Sequence, residues 1–178
     1  MSVIINGSAG VTTNSGAVYD GLQRGTAVTA SGTSVDFTSI PSWVERITVM
    51  FSGVSTNSIN PILVQIGDSG GIETTGYVSG NSAIGNQVVG SLTTTTVGFM
   101  GTSSFVAAQT LSGAIVLSNV SGNIWVAQGS LFLSATSTYA VGGTKTLSGT
   151  LTQLRVIGST TGSPTDTFDA GSINIIYE

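Results

Sequence analysis

Between Pro41 and Gly53 the chain alternates with a period of two. Trp43, Ile47, Val49 and Phe51 fall on one face of an extended strand, and Val44, Arg46, Thr48 and Met50 on the other. This pattern commits one face to a core, and it is not a helical pattern, in which apolar residues recur every three or four positions. Pro41 cannot donate to a ladder and suits a strand start or an edge. Ser52-Gly53 ends the run.

Comparable signals recur along the chain. Residues 26–30, 35–38, 93–100, 104–108, 146–148, 151–157 and 172–177 read as strands, as does 62–66, where Ile62, Val64 and Ile66 share a face. Turn signals at Ser31-Gly32, Asn60-Pro61, Gly142-Gly143, Ser148-Gly149 and from Gly158 to Pro164 separate them. Residues 119–123 close a hairpin between 114–118 and 124–128, whose second arm continues through 131–133 past a bulge at Gly129. Residues 67–90 are rich in glycine and read as long loops with one short strand near Tyr77 and Val78. No eleven-residue window combines helical spacing with a cap. The expectation is an all-β fold: an antiparallel β-sandwich, jelly-roll-like, forming a single domain over residues 26–178.

Residues 1–25 differ from the rest. Val3, Ile4 and Ile5 give a short apolar start, residues 6–16 resemble a linker, and Ala17 to Leu22 includes Tyr19. That is too little apolar material for a core. The segment reads as an extended docking arm, with Val3, Ile4, Ile5, Tyr19 and Leu22 as its contact residues for a neighbouring copy or a carrier protein. No internal repeat or heptad suggests a shaft.

Charge decides what the surface can be. Only 7% of the 178 residues are charged, against roughly 25% in ordinary domains. Hydroxyls, amides and 25 glycines take their place. Lysine and glutamate on exposed strands are the usual guard against edge pairing, so a surface without them favours association. An obligate homo-oligomer is expected. The net charge of −4 and four scattered basic residues, Arg24, Arg46, Lys145 and Arg155, leave no footprint for nucleic acid.

The chain has no cysteine and no histidine, which removes thiolate catalysis, Cys-zinc sites and the commonest general base. The opening Met-Ser-Val-Ile-Ile-Asn lacks the basic and long apolar regions of a signal peptide, and no apolar run reaches the length of a membrane span. A soluble chain is expected, with no membrane insertion. The mean hydropathy of +0.40 reflects few charges and many small apolar residues.

The acids are Asp20, Asp36, Glu45, Asp68, Glu73, Asp166, Asp169 and Glu178. A glycosidase needs only two facing carboxylates, but most of these stand singly in turns, where Asp caps local backbone. No catalytic or cofactor-binding residue is assigned. Asp68 and Glu73, and Asp166 and Asp169, carry oxygen ligands on loops that calcium could use, although the spacing fits no defined loop motif and no metal site is assigned. Glu45 falls on the apolar face of the 43–51 strand, where it either pairs with Arg155 or reaches solvent at the strand end. Asn6-Gly7-Ser8 and Asn119-Val120-Ser121 match the glycosylation triplet by accident in a chain without a secretory signal. Trp43 and Trp125 read as core aromatics. Tyr77 and Tyr139, in loop-like surroundings, are the candidate receptor-facing residues, able to stack on sugars.

Residues 25–51, which run from Gly25-Thr26-Ala27 through Pro41-Ser42-Trp43-Val44 to Phe51, resemble a module of tailed-bacteriophage tail-fibre and virion proteins. The similarity continues in 66–77, with Gly67-Asp68-Ser69-Gly70-Gly71, in Asn123-Ile124-Trp125-Val126-Ala127, in 143–149 and in the ending 166–178. Val3-Ile4-Ile5-Asn6-Gly7-Ser8 resembles the starts of phage fibre proteins. The resemblance implies a non-enzymatic virion surface protein, made in the host cytoplasm and assembled as a homo-oligomer, most naturally a trimer. Its implied partners are other virion proteins, held through the arm, and a host cell-surface glycan. It supplies no catalytic motif. A tail fibre ordinarily carries a long shaft, and here the module follows a short arm. Three readings follow: a host-attachment module, a capsid decoration protein that stabilises the head, and a glycan-degrading tailspike-like enzyme.

Overall fold

Strands that alternate in polarity must bury one face each, and two sheets can do this against each other. The computed structural model describes residues 3–6, 10–13, 18–19, 21–85, 90, 92–103, 106–134 and 137–178. Within them every regular element is a strand. In chain order these are Val3–Asn6 (β1), Gly10–Thr13 (β2), Val18–Tyr19 (β3), Gln23–Arg24 (β4), Val28–Thr29 (β5), Val35–Phe37 (β6), Arg46–Thr56 (β7) and Ile62–Asp68 (β8). Then come Gly71–Ile72 (β9), Tyr77–Gly85 (β10), Leu92–Thr95 (β11), Phe99–Met100 (β12), Leu111–Ser121 (β13), Ile124–Leu133 (β14), Ser137–Thr146 (β15), Gln153–Gly158 (β16) and Phe168–Tyr177 (β17).

A large sheet of nine strands runs β11-β10-β15-β14-β13-β7-β17-β4, with β5 also on β17, and a small sheet of five runs β12-β8-β16-β6, with β9 on β8. All these pairings are antiparallel. The core lies between the sheets. Ile47, Val49, Ile115 and Leu117 of the large sheet and Val64, Ile66, Leu154 and Val156 of the small one belong to one buried cluster. The β-sandwich is therefore the observed architecture.

The small sheet is covered on its outer side as well. All seven residues of β8 are buried, because Leu63 packs with Met100, Ile157 and Val97 on the face turned away from the main core. Gln65 Nε2 donates to the carbonyls of Val97 and Gly162, both at 2.8 Å, and so pins the two segments that form this cover.

The N-terminal segment forms a small sheet of its own, β1-β2-β3. The boundary drawn after Gly25 falls inside the sandwich. β4 pairs with β17 through Arg24 opposite Ile176 and Gln23 opposite Tyr177, and the Gly25 amide donates to the Ile175 carbonyl at 2.8 Å.

The strand that opened the reading starts later than its alternation implies. Pro41 accepts a turn bond from the Val44 amide at 3.1 Å, and β7 begins at Arg46. That turn breaks the phase. Val44 is buried, Trp43 is 47% exposed, and the Trp43 ring tilts against Tyr177 with centroids 6.0 Å apart. From Ile47 to Ser52 the alternation holds, until Gly53 at positive φ breaks it, and β7 lies between β13 and β17 inside the sheet. Trp125 is a core residue, as its strand position requires.

Three further expectations are corrected. Residues 77–85 are a nine-residue strand rather than loop, paired with β15 from Tyr77 opposite Lys145 to Gly85 opposite Ser137. Gly142 and Gly143 sit inside β15 and are no turn. Gly129 is no bulge either: it stands opposite Ile115 in unbroken register, and the shift in this hairpin lies between Asn119 and Ser121. Its glycine is needed for close approach, since a Cβ there would lie 2.4 Å from the Ala114 carbonyl oxygen.

Candidate functional site

The polar chemistry of the sandwich gathers where β10 and β15 meet the end of β8. Tyr77 is buried on β10 and accepts a hydrogen bond from the Ile66 amide at 2.8 Å. Its hydroxyl lies 2.9 Å from the Glu73 carbonyl and 3.2 Å from the Ile66 carbonyl, either of which can take its proton. The ring meets Phe99 edge to face, centroids 5.1 Å apart. Burial pushes the Tyr77 phenol far above its ordinary value.

Lys145, directly opposite Tyr77, is buried and forms an ion pair with Glu73. Its ammonium lies 5.4 Å from the Tyr77 ring centroid, a distance at which the ring quadrupole attracts a cation. Glu73 also accepts from the Ser148 amide at 2.7 Å. Burial raises the Glu73 pKa, yet the bonds from Lys145 and Ser148 outweigh it and hold the carboxyl below its ordinary value. Ser148 Oγ donates to Asp68 Oδ2 at 2.6 Å and the Gly70 amide to Asp68 Oδ1 at 2.8 Å, and these two bonds hold Asp68 low as well. The carboxylates of the first acidic pair, Asp68 and Glu73, are thus engaged by protein donors. Among the described residues no three His, Cys, Asp or Glu side chains converge.

The second acidic pair is divided by burial. Asp166 is turned inward, with Oδ1 accepting from Asn60 Nδ2 at 2.7 Å, while Asp169 is exposed. Glu45 is exposed and takes the solvent-facing alternative. Arg155 pairs with Asp36 on the adjacent strand at 2.6 Å, and Arg46 with Glu178 at 3.0 Å. Asp20 lies outside the described residues.

Beside the Tyr77 cluster a groove of about 1000 Å³ opens between β10, β11 and β15. Ser82, Thr94, Thr96 and Thr160 bring hydroxyls to its wall. Asn81 is buried; its Nδ2 donates to the Met100 carbonyl at 3.4 Å, and its Oδ1 has no hydrogen-bond partner. Leu92 at the rim is 72% exposed. Such a groove can offer hydrogen bonds and apolar contact to an uncharged polar ligand.

The candidate receptor-facing residues are corrected by their burial. Tyr77 and Tyr139 are 1% and 3% exposed, so neither ring is presented to a ligand at the surface. Both point inward because β10 and β15 are strands whose odd-numbered residues face the core. Of the arm residues, Val3, Ile4 and Ile5 lie in β1, Tyr19 in β3, and Leu22 is exposed just before β4. The Glu73–Lys145 pair, the Ser79 Oγ that accepts from the Met100 amide at 3.0 Å, and the buried Asn81 escaped the sequence reading. The only signal for the pair was that Lys145 is one of four basic residues in a chain that spends charge sparingly.

Fold and groove together define a two-sheet antiparallel β-sandwich with an uncharged cleft, lined by apolar groups and hydroxyls, beside β10. No family model, curated protein or solved structure matches the chain.

Proposed function

We propose that this chain is a non-enzymatic bacteriophage virion surface protein, a host-attachment module of the tail-fibre type that works as a homo-oligomer. The phage context is carried by the resemblance of residues 25–51, 66–77 and 143–149 to tailed-phage virion proteins. The binding role is supported by the groove beside β10. With Tyr77 and Tyr139 buried, that groove replaces them as the receptor-facing surface: the hydroxyls of Thr94, Thr96 and Thr160 suit a saccharide held by neutral hydrogen bonds. Each such site binds weakly, and several copies linked in one assembly raise avidity by roughly two or more orders of magnitude where geometry permits simultaneous contact.

A capsid decoration role is the second reading, and the separate β1-β2-β3 sheet favours it, since an N-terminal unit outside the sandwich can lie across shell subunits. Decoration would stabilise the head by mass action. Labelled protein imaged on intact particles separates the two. Density on the tail supports attachment, and density on the head faces rejects it. Release of reducing ends from host polysaccharide by the purified protein would reject both in favour of a hydrolase.

A further inference from the structure

The outward face of the large sheet carries no charged side chain from β10 across β15 and β14 to β13. Two apolar rows border it. Val78 and Val126 stand in line with Thr144 between them, and Ile84 and Phe132 in line with Thr138 between them. All four point to solvent: Val78 is 70% exposed, Ile84 66%, Phe132 54% and Val126 37%. Between the rows lie small residues, Gly80 opposite Gly142 and Ala140 opposite Ser82. A depression of about 610 Å³ over Ala114, Gly129 and Ser130 continues that trough. The nearest cation, Arg46, stands at the corner of the face and is paired with Glu178.

We infer that this face is buried against a second copy of the chain. Exposed β-branched and aromatic side chains on a sheet without lysine or glutamate are the arrangement that monomeric proteins avoid. With strands about 4.8 Å apart and residues about 3.4 Å apart, the face from β10 to β7 measures on the order of 20 by 25 Å. Allowing for side-chain relief, that is of the order of the roughly 800 Å² per partner that a stable interface buries. The occupant must be as free of charge as the face, because an unpaired charge buried here would lose its hydration with nothing to replace it. The face itself meets that requirement. Its rows and trough are complementary in shape, so a row of one copy can seat in the trough of the other. Two sheets packed in this way stand about 10 Å apart.

The inference rests on the homo-oligomer part of the proposed function and assigns it a surface; Val78, Gly80, Ser82, Ala140 and Gly142 also wall the groove beside β10, so in the assembly a ligand reaches that groove only from its Thr94, Thr96 and Thr160 side. The full chain and two variants, Val126→Glu with Phe132→Glu together and Ala140→Glu alone, are compared by light scattering over a concentration series, with circular dichroism to report folding. Ala140 is exposed in the trough, so its variant keeps the test open if the double variant loses its sheet signal. The expected result is a wild-type oligomer and folded variants whose mass falls to that of the 17.9 kDa chain, with at least a tenfold weaker association. A wild-type oligomer that the folded variants leave intact overturns the face and spares the oligomer. A wild-type chain that stays monomeric throughout overturns both.

Discussion

Lys145 and Tyr77 stand directly opposite each other on neighbouring strands, the lysine ammonium 5.4 Å from the tyrosine ring centroid and paired on its other side with Glu73. The contact joins the large sheet to the segment that follows β8. Among the described residues most charges lie at the surface, whereas this pair, with Lys145 buried and Glu73 half-buried, lies at the groove end of the sandwich.

Removing one partner of that pair strands the other. Lys145→Met should lower the unfolding free energy by about 2–3 kcal/mol in urea denaturation, short of the full cost of an orphaned buried ion because Glu73 keeps some solvent contact. The double variant Lys145→Met with Glu73→Gln should recover part of the loss. An additive double variant would show that the pair does not couple.

The same pair predicts a pH dependence. The Glu73 carboxyl is held below its ordinary value of 4.5 in the folded chain, so its contribution is complete above that value and is lost as pH falls through the lower folded pKa. Asp68 acts in the same direction. Denaturation midpoints measured between about pH 7 and pH 3 should decline in acid, and Glu73→Gln should flatten the decline.

Tyr77→Phe isolates the hydroxyl. The ring and its edge contact with Phe99 persist, but the buried Ile66 amide loses its acceptor at 2.8 Å. The expected cost is about 1–3 kcal/mol, the range for a buried donor left unsatisfied. An unchanged midpoint would show that this amide finds another acceptor.

Two glycines should respond in opposite ways to alanine. At Gly129 the new Cβ would meet the backbone of Ala114 and Ile115 at 2.4 and 2.8 Å, so Gly129→Ala should open the β13–β14 hairpin or block folding. At Gly142 nothing lies within 4 Å, and Gly142→Ala should be neutral or gain a few tenths of a kcal/mol. Thermal melts of the two variants side by side distinguish a steric need for glycine from its mere presence.

The two tryptophans should separate in fluorescence. Trp43 is half exposed and Trp125 buried, so acrylamide should quench one component readily and the other poorly, and Trp43→Phe should leave only the blue, protected emission. Trp125→Ala should cost about 3–5 kcal/mol. Two equally quenched components would reverse the assignment of surface and core.

The hairpin of β13 and β14 was legible because apolar and polar residues alternate there around a glycine-containing turn, and β8 and β16 because their apolar runs are bounded by turns. β10 was legible only at its start, Tyr77 and Val78. Its inward residues include Ser79 and Asn81 and its outward ones Val78 and Ile84, so the polarity that marks a half-buried strand is inverted along most of its length. Trp43 misled for a local reason, since the turn closed by Pro41 and Val44 breaks the phase before the strand begins.

By itself, the sequence determined that the chain would be all-β, nearly without charge and devoid of histidine and cysteine chemistry, because period and composition are local properties of the residues. Only the tertiary structure decided which strands became neighbours. That pairing buried Tyr77 and Tyr139, brought Lys145 to Glu73 across 72 positions of sequence and left Val78, Val126, Ile84 and Phe132 outside. The reason is physical: a side chain in a sheet faces inward or outward according to the register its strand shares with its neighbours, and register is set by contacts between residues far apart in the chain.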